Sequence, residues 1–114
     1  MNVSIHIDEI ARVCYGALTA IDKVDGLPSV RWVDLPEIEK EVLLEGVEHY
    51  LLHPLETSAA FHNAWVAAQA AQGWTYGDND SYKKTDLRMV PFEMLPEKGQ
   101  AQAHVFKSIV LSMI

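Results

Sequence analysis

From Phe61 to Leu95 the chain reads FHNAWVAAQAAQGWTYGDNDSYKKTDLRMVPFEML, and this stretch decides the fold. It opens as a helix. Thr57 or Ser58 can cap it, and Phe61, Ala64, Trp65, Ala68 and Ala71 recur at helical spacing as an apolar stripe. Gly73 fits the left-handed position just past its end. His62, Trp65 and Gln69 share one side of that helix. From Trp74 to Met94 the pattern changes to aromatics, glycine, acids, lysines and proline. That predicts an irregular or short two-stranded segment, with turns at Gly77-Asp78 and Asn79-Asp80.

Working outward, Ile10, Val13, Cys14, Ala17, Leu18 and Ile21 predict an amphipathic helix over roughly Ser4 to Asp22, with Ser4 as its N-cap. Asp25-Gly26 and Leu27-Pro28 then supply turn chemistry. Asp34, Pro36 and Glu37 carry the signals of a second helix start, which runs to about His53 and stops at Pro54. Its apolar residues (Ile38, Val42, Leu43, Leu44, Val47, Tyr50, Leu51) cover more than one narrow stripe, so contact on two sides is expected. Pro96 opens a last helix on which Phe106, Ile109, Val110 and Met113 align, and the chain is apolar from Val110 to Ile114. Such an end docks on its own core or on a second subunit. The expectation is a mainly α fold: about four helices, with a short irregular or two-stranded β segment between the third and fourth. Residues 1–114 are expected to form a single domain, residues 1–55 being a helical lead-in.

A chain of 114 residues with 49% hydrophobic and 22% charged residues can bury a modest core without a metal or disulfide. The single cysteine, Cys14, excludes an internal disulfide, and its place on the apolar stripe makes it a small core residue. No charged-then-apolar leader or membrane-length apolar run is visible, so a soluble, cytoplasmic protein is expected, with no membrane partner. The net charge of −7 opposes binding to polymeric nucleic acid. The second helix is strongly acidic, with Lys40 its lone opposing charge, whereas Lys83, Lys84 and Arg88 cluster within six positions. That cluster is where an anion would bind. Its cations can equally form a solvated face balanced by Asp78, Asp80 and Asp86.

Trp65 and Trp74 admit two readings, as core anchors or as platforms on which a planar group stacks. A phosphate loop is excluded by the glycine spacing. His49 and His53, four apart on a helix, could grip a metal, but no third ligand is obvious and no metal is expected. No nucleophile turn, metalloprotease or deaminase pattern is present, so no catalytic residue and no cofactor is expected.

His62-x-x-Trp65, Gly73-Trp74-x-Tyr76-Gly77, Lys84-Thr85 and Val90-Pro91-Phe92-x-x-Leu95-Pro96 resemble the RyR domain, the repeat named for ryanodine receptors. Ile10 to Cys14, Trp32 to Pro36 and Gly46-Val47 are similar to the helical lead-in of single-copy phage-type members, so residues 56–114 would carry the RyR-like motif. Members often read Lys-Thr-His-Pro where this chain has Lys84-Thr85-Asp86-Leu87. The resemblance implies a small helical ligand- or partner-binding module without catalytic activity, linked to nucleotide signalling. The expected site comprises His62, Trp65, Trp74, Tyr76, Lys83, Lys84 and Arg88, and its ligand is planar, anionic and nucleotide-like. In a phage setting the role would be to sequester a host nucleotide immune signal. The alternative is a phage accessory protein acting on a protein partner through its acidic helix. A homodimer or higher homo-oligomer is expected in either case.

Overall fold

The computed structural model describes residues 3–114, the side chains of residues 3–6 excepted. It contains four α-helices: α1 (Val3–Val24), α2 (Glu37–Leu52), α3 (Ser58–Ala71) and α4 (Glu97–Ser112). Two strands, β1 (Thr75–Tyr76) and β2 (Thr85–Asp86), pair in parallel between α3 and α4. Two 3₁₀ turns, Trp32–Asp34 and Phe92–Met94, precede α2 and α4. The mainly α expectation with a two-stranded insert is what is observed. Among the described residues no helix is long and apolar enough to cross a membrane. The chain forms two compact units, one of residues up to Leu55 together with His104–Ile114, the other Glu56–Ala103.

In the first unit α1 packs on α2. Ile10, Ala11, Cys14, Val47, Tyr50, Phe106 and Val110 are buried, so Val110 of the apolar tail belongs to the chain's own core. The Cys14 thiol points at the Phe106 carbonyl, 3.9 Å away, and burial pushes its pKa up to about 12. Val13, expected on the buried stripe, is 47% exposed; Ala11 takes the inward place. The helix is already formed at Ser4, and a cap by that side chain lies outside the described residues.

The start of α2 differs from the expectation. Asp34 does not cap it: its carboxylate accepts from Arg31 Nε at 3.0 Å and closes the 3₁₀ turn instead. Pro36 is the N-cap, with no side-chain hydrogen bond, and its carbonyl accepts from the amides of Glu39 and Lys40. The physical reason is that residues before a proline are pushed out of helical geometry, which holds Leu35 extended and separates Asp34 from the first free amides. Helix α2 meets both α1 and α4, the latter through Tyr50, whose ring lies 6.2 Å from that of Phe106 between centroids. Gly46, Val47 and Tyr50 are buried, while Ile38, Val42 and Leu52 face solvent.

In the second unit Thr57 Oγ1 accepts from the Ala60 amide and caps α3, which packs on the Phe92–Met94 turn. Gly73, at φ +90, ends the helix in the paired-bond cap in which Gly73 N–H donates to Ala70 O and Trp74 N–H to Gln69 O. The inward side of α3 is not the expected alanine stripe. Ser58 and His62 are buried and Phe61 and Trp65 half-buried, while Ala64, Ala68 and Ala71 are exposed. Small alanines gain little from burial, so the side carrying the larger rings turns inward.

Candidate functional site

The site forms where α3 meets the strand segment. His62 Nε2 lies 2.8 Å from the Val90 carbonyl, and Asn63 Oδ1 accepts from the Phe92 amide at 3.0 Å. A carbonyl only accepts, so Nε2 carries the proton. These two adjacent side chains fasten residues 90–92 to the helix. The His62 ring also packs 5.7 Å from Trp65 and 6.1 Å from Phe92, between centroids. His62 thus serves first to hold the unit together.

Its neighbour, the half-buried Trp65, carries the Arg88 guanidinium 4.8 Å from its ring centroid. Arg88 is held there by Asp86. The Asp86 carboxylate accepts from Arg88 Nε (3.1 Å), Nη2 (2.8 Å) and the Arg88 amide (2.7 Å). Burial alone would raise the Asp86 pKa. The hydrogen bonds and charge of Arg88, with a smaller contribution from His62, outweigh it and hold the carboxyl below its ordinary value. A planar guanidinium on an aromatic face, gripped along one edge, has one orientation. Arg88 keeps 64% of its side chain exposed while Asp86 keeps 12%, so the fork is anchored inside and presented outside. The contacts use Nε and Nη2, and among the described residues Nη1 makes no hydrogen bond.

Register places Tyr76 opposite Asp86 across the strand pair, with the tyrosine 62% exposed. Gly77 follows because a side chain there would sit 3.1 Å from Thr85 Cβ. The loop from Asn79 to Lys83 is built on its own side chains. Asp80 Oδ1 accepts from the amides of Tyr82 and Lys83, and Asn79 Oδ1 from that of Leu87. Lys84 adopts φ +57, a left-handed conformation unusual for a side-chain-bearing residue. From there its Nζ donates to the Gln72 carbonyl at 3.1 Å, at the α3 C-terminus, where a cation also meets the helix dipole.

The seven expected site residues therefore divide by task. His62, Trp65 and Arg88 meet in one cluster; Lys84 is engaged at the helix end. Trp74 is half-buried, and among the described residues its indole, the Tyr76 hydroxyl and the Lys83 ammonium make no hydrogen bond. Asp86, which sequence reasoning treated as a neutralising acid, is the residue that organises the cluster. The signal was the Asp86-x-Arg88 spacing at the end of a strand. In the first unit the His49 and His53 rings lie tilted at 43° with centroids 4.9 Å apart, and among the described residues no group of three potential ligands could hold a metal ion. A model of the RyR domain family matches residues 47–113, more than half of the chain, from within α2 almost to its end. No curated protein matches it.

Proposed function

The chain belongs to the RyR domain family, and from that premise we propose that it is a non-enzymatic binding module for a planar, anionic ligand of the nucleotide class. The carrying observation is Arg88, fixed over Trp65 by the Asp86 fork yet open to solvent. Its Nη1 edge would take a phosphate or carboxylate, and the unengaged Trp74 and Tyr76 rings would take the planar part. Three cations, Lys83, Lys84 and Arg88, stand against three acids, Asp78, Asp80 and Asp86, in a chain of net charge −7. Long-range attraction is therefore small, and recognition rests on short-range contacts. One base stack (~1–3 kcal/mol) with one charged hydrogen bond (~1.5–3 kcal/mol) reaches only about millimolar affinity. Micromolar binding needs a second ring or Lys83 as well. In the phage setting that the resemblance implies, such a module would sequester a host nucleotide signal before a defence effector meets it.

The test is a melting series with mono-, di- and cyclic nucleotides. A ligand at a hundred times its Kd stabilises the native state by ~2.7 kcal/mol, a rise of roughly 8–16 °C for a chain of this size. Trp65→Ala and Arg88→Ala should stay folded and lose the rise. No rise with any nucleotide sinks the reading.

A further inference from the structure

We propose that a shallow groove on the outer face of α1 receives helix α2 of a second copy of this chain. The groove encloses about 600 Å³ between α1 and the segment leading into the Trp32–Asp34 turn. Its far wall is fixed: the Tyr15 hydroxyl donates to the Val30 carbonyl at 2.6 Å, and the Tyr15 and Trp32 rings lie 5.8 Å apart. Gly16 lies on its helical side. Inside a helix a glycine costs roughly 0.5–1 kcal/mol relative to alanine. Yet a Cβ at Gly16 would have nothing within 4 Å, so no packing within the chain calls for glycine there. A bare backbone facing an open groove admits close approach from outside.

The groove states what kind of surface it takes. Arg12, Lys23 and Arg31 line it against one acid, Glu9, and Val13 and Val30 add exposed apolar area. Among the described residues Arg12 and Lys23 have no ion pair, and Arg31 pairs with Asp34. The matching surface is on the same chain. The outward side of α2 carries Ile38 (71% exposed) and Val42 (41%), with Glu41 and Glu45 exposed at the three-and-four spacing of one helix face. An acidic helix with an apolar seam fits a basic groove with an apolar side. The Trp32–Asp34 turn runs into α2 within three residues, so groove and helix are chain neighbours. A two-fold pair then makes the contact twice, each copy giving its helix and receiving the other's.

This deepens the expected self-association, and one experiment separates the two. The full chain is weighed by light scattering after size exclusion. Wild type should give twice the chain mass. Glu41→Lys with Glu45→Lys places like charge in the groove, as does Arg12→Glu with Lys23→Glu, and each double variant alone should run as a monomer. Mixing the two restores opposite charge at both contacts, so the mixture should regain dimer mass. Gly16→Leu meets no neighbour within the chain, so it should keep the wild-type circular dichroism spectrum, and it should be monomeric. A monomeric wild type overturns self-association and the groove together. A wild-type dimer that these variants leave intact, or a mixture that stays monomeric, overturns the groove alone.

Discussion

Replacing Asp86 with asparagine tests how the cluster is built. The amide keeps the size of the carboxylate but loses its charge and one of its two acceptors. Asp86 accepts three hydrogen bonds from Arg88, two of them from the guanidinium. Hydrogen bonds to charged groups contribute ~1.5–3 kcal/mol where buried. Arg88 is 64% exposed, so solvent screening reduces the pair, and about 1–2 kcal/mol is expected for Asp86→Asn. That corresponds to a melting temperature lower by roughly 4–10 °C at neutral pH. The pH dependence follows from the direction of the shift. Asp86 has its folded pKa below the ordinary carboxylate value, so its contribution is complete above about pH 4–5 and is lost as pH falls through the folded pKa. Asparagine does not titrate. The gap between wild type and variant should therefore be widest near neutrality and close in acid, with the other carboxylates cancelling between the two curves. Calorimetry or circular dichroism melts across pH measure it. A gap that is absent at neutral pH, or that persists unchanged in strong acid, refutes the claim that the ionised fork holds Arg88 in place.

Lys84 combines a left-handed backbone with a cap on the Gln72 carbonyl, so Lys84→Ala keeps the strain and loses the cap, whereas Lys84→Gly loses the cap and relieves the strain. The glycine variant should be more stable than the alanine variant by about 1 kcal/mol in denaturant titrations. Cys14 is buried with its pKa pushed up to about 12. Alkylation at pH 8 should therefore be slow in the native chain and rise to the rate of a free thiol in denaturant.

Much of the fold could be read from local signals, because local chemistry makes it. Thr57 caps α3 and Gly73 ends it as their residue types require. The failures are places where a distant partner decides. The alanine stripe of α3 satisfied helical periodicity as well as the His62 side does. What turns His62 inward is the Val90 carbonyl, 28 residues away, and no window along the helix contains it. Asp34 offered the residue type of a cap, but Leu35-Pro36 kept the chain extended and Arg31 took the carboxylate. At Lys84 no residue type announced a positive φ, since the conformation follows from pairing Thr75 with Thr85 beside the Asp80–Thr85 bridge. Gly16 drew no reading from the sequence, because its meaning lies in the empty space around it.

The same division sharpens the choice between a motif kept for folding and one kept for binding. A residue whose side chain is tied to the backbone of its own unit explains its own presence. His62 on Val90 and Lys84 on Gln72 are of that kind, and their spacing to Trp65 and Thr85 would be required with no ligand at all. Arg88 is different. Folding needs Asp86 to be satisfied, and a lysine or a backbone amide could do that with fewer donors. A guanidinium gripped along one edge, set over an indole and largely exposed carries more directed hydrogen-bonding capacity than the unit itself uses. Trp74, half-buried with an unbonded indole, is a surplus of the same sort on the aromatic side. A binding role therefore rests on Arg88 and Trp74 more than on the motif as a whole. Variants at His62 or Lys84 should report on stability first, and variants at Trp74 or Arg88 on the ligand.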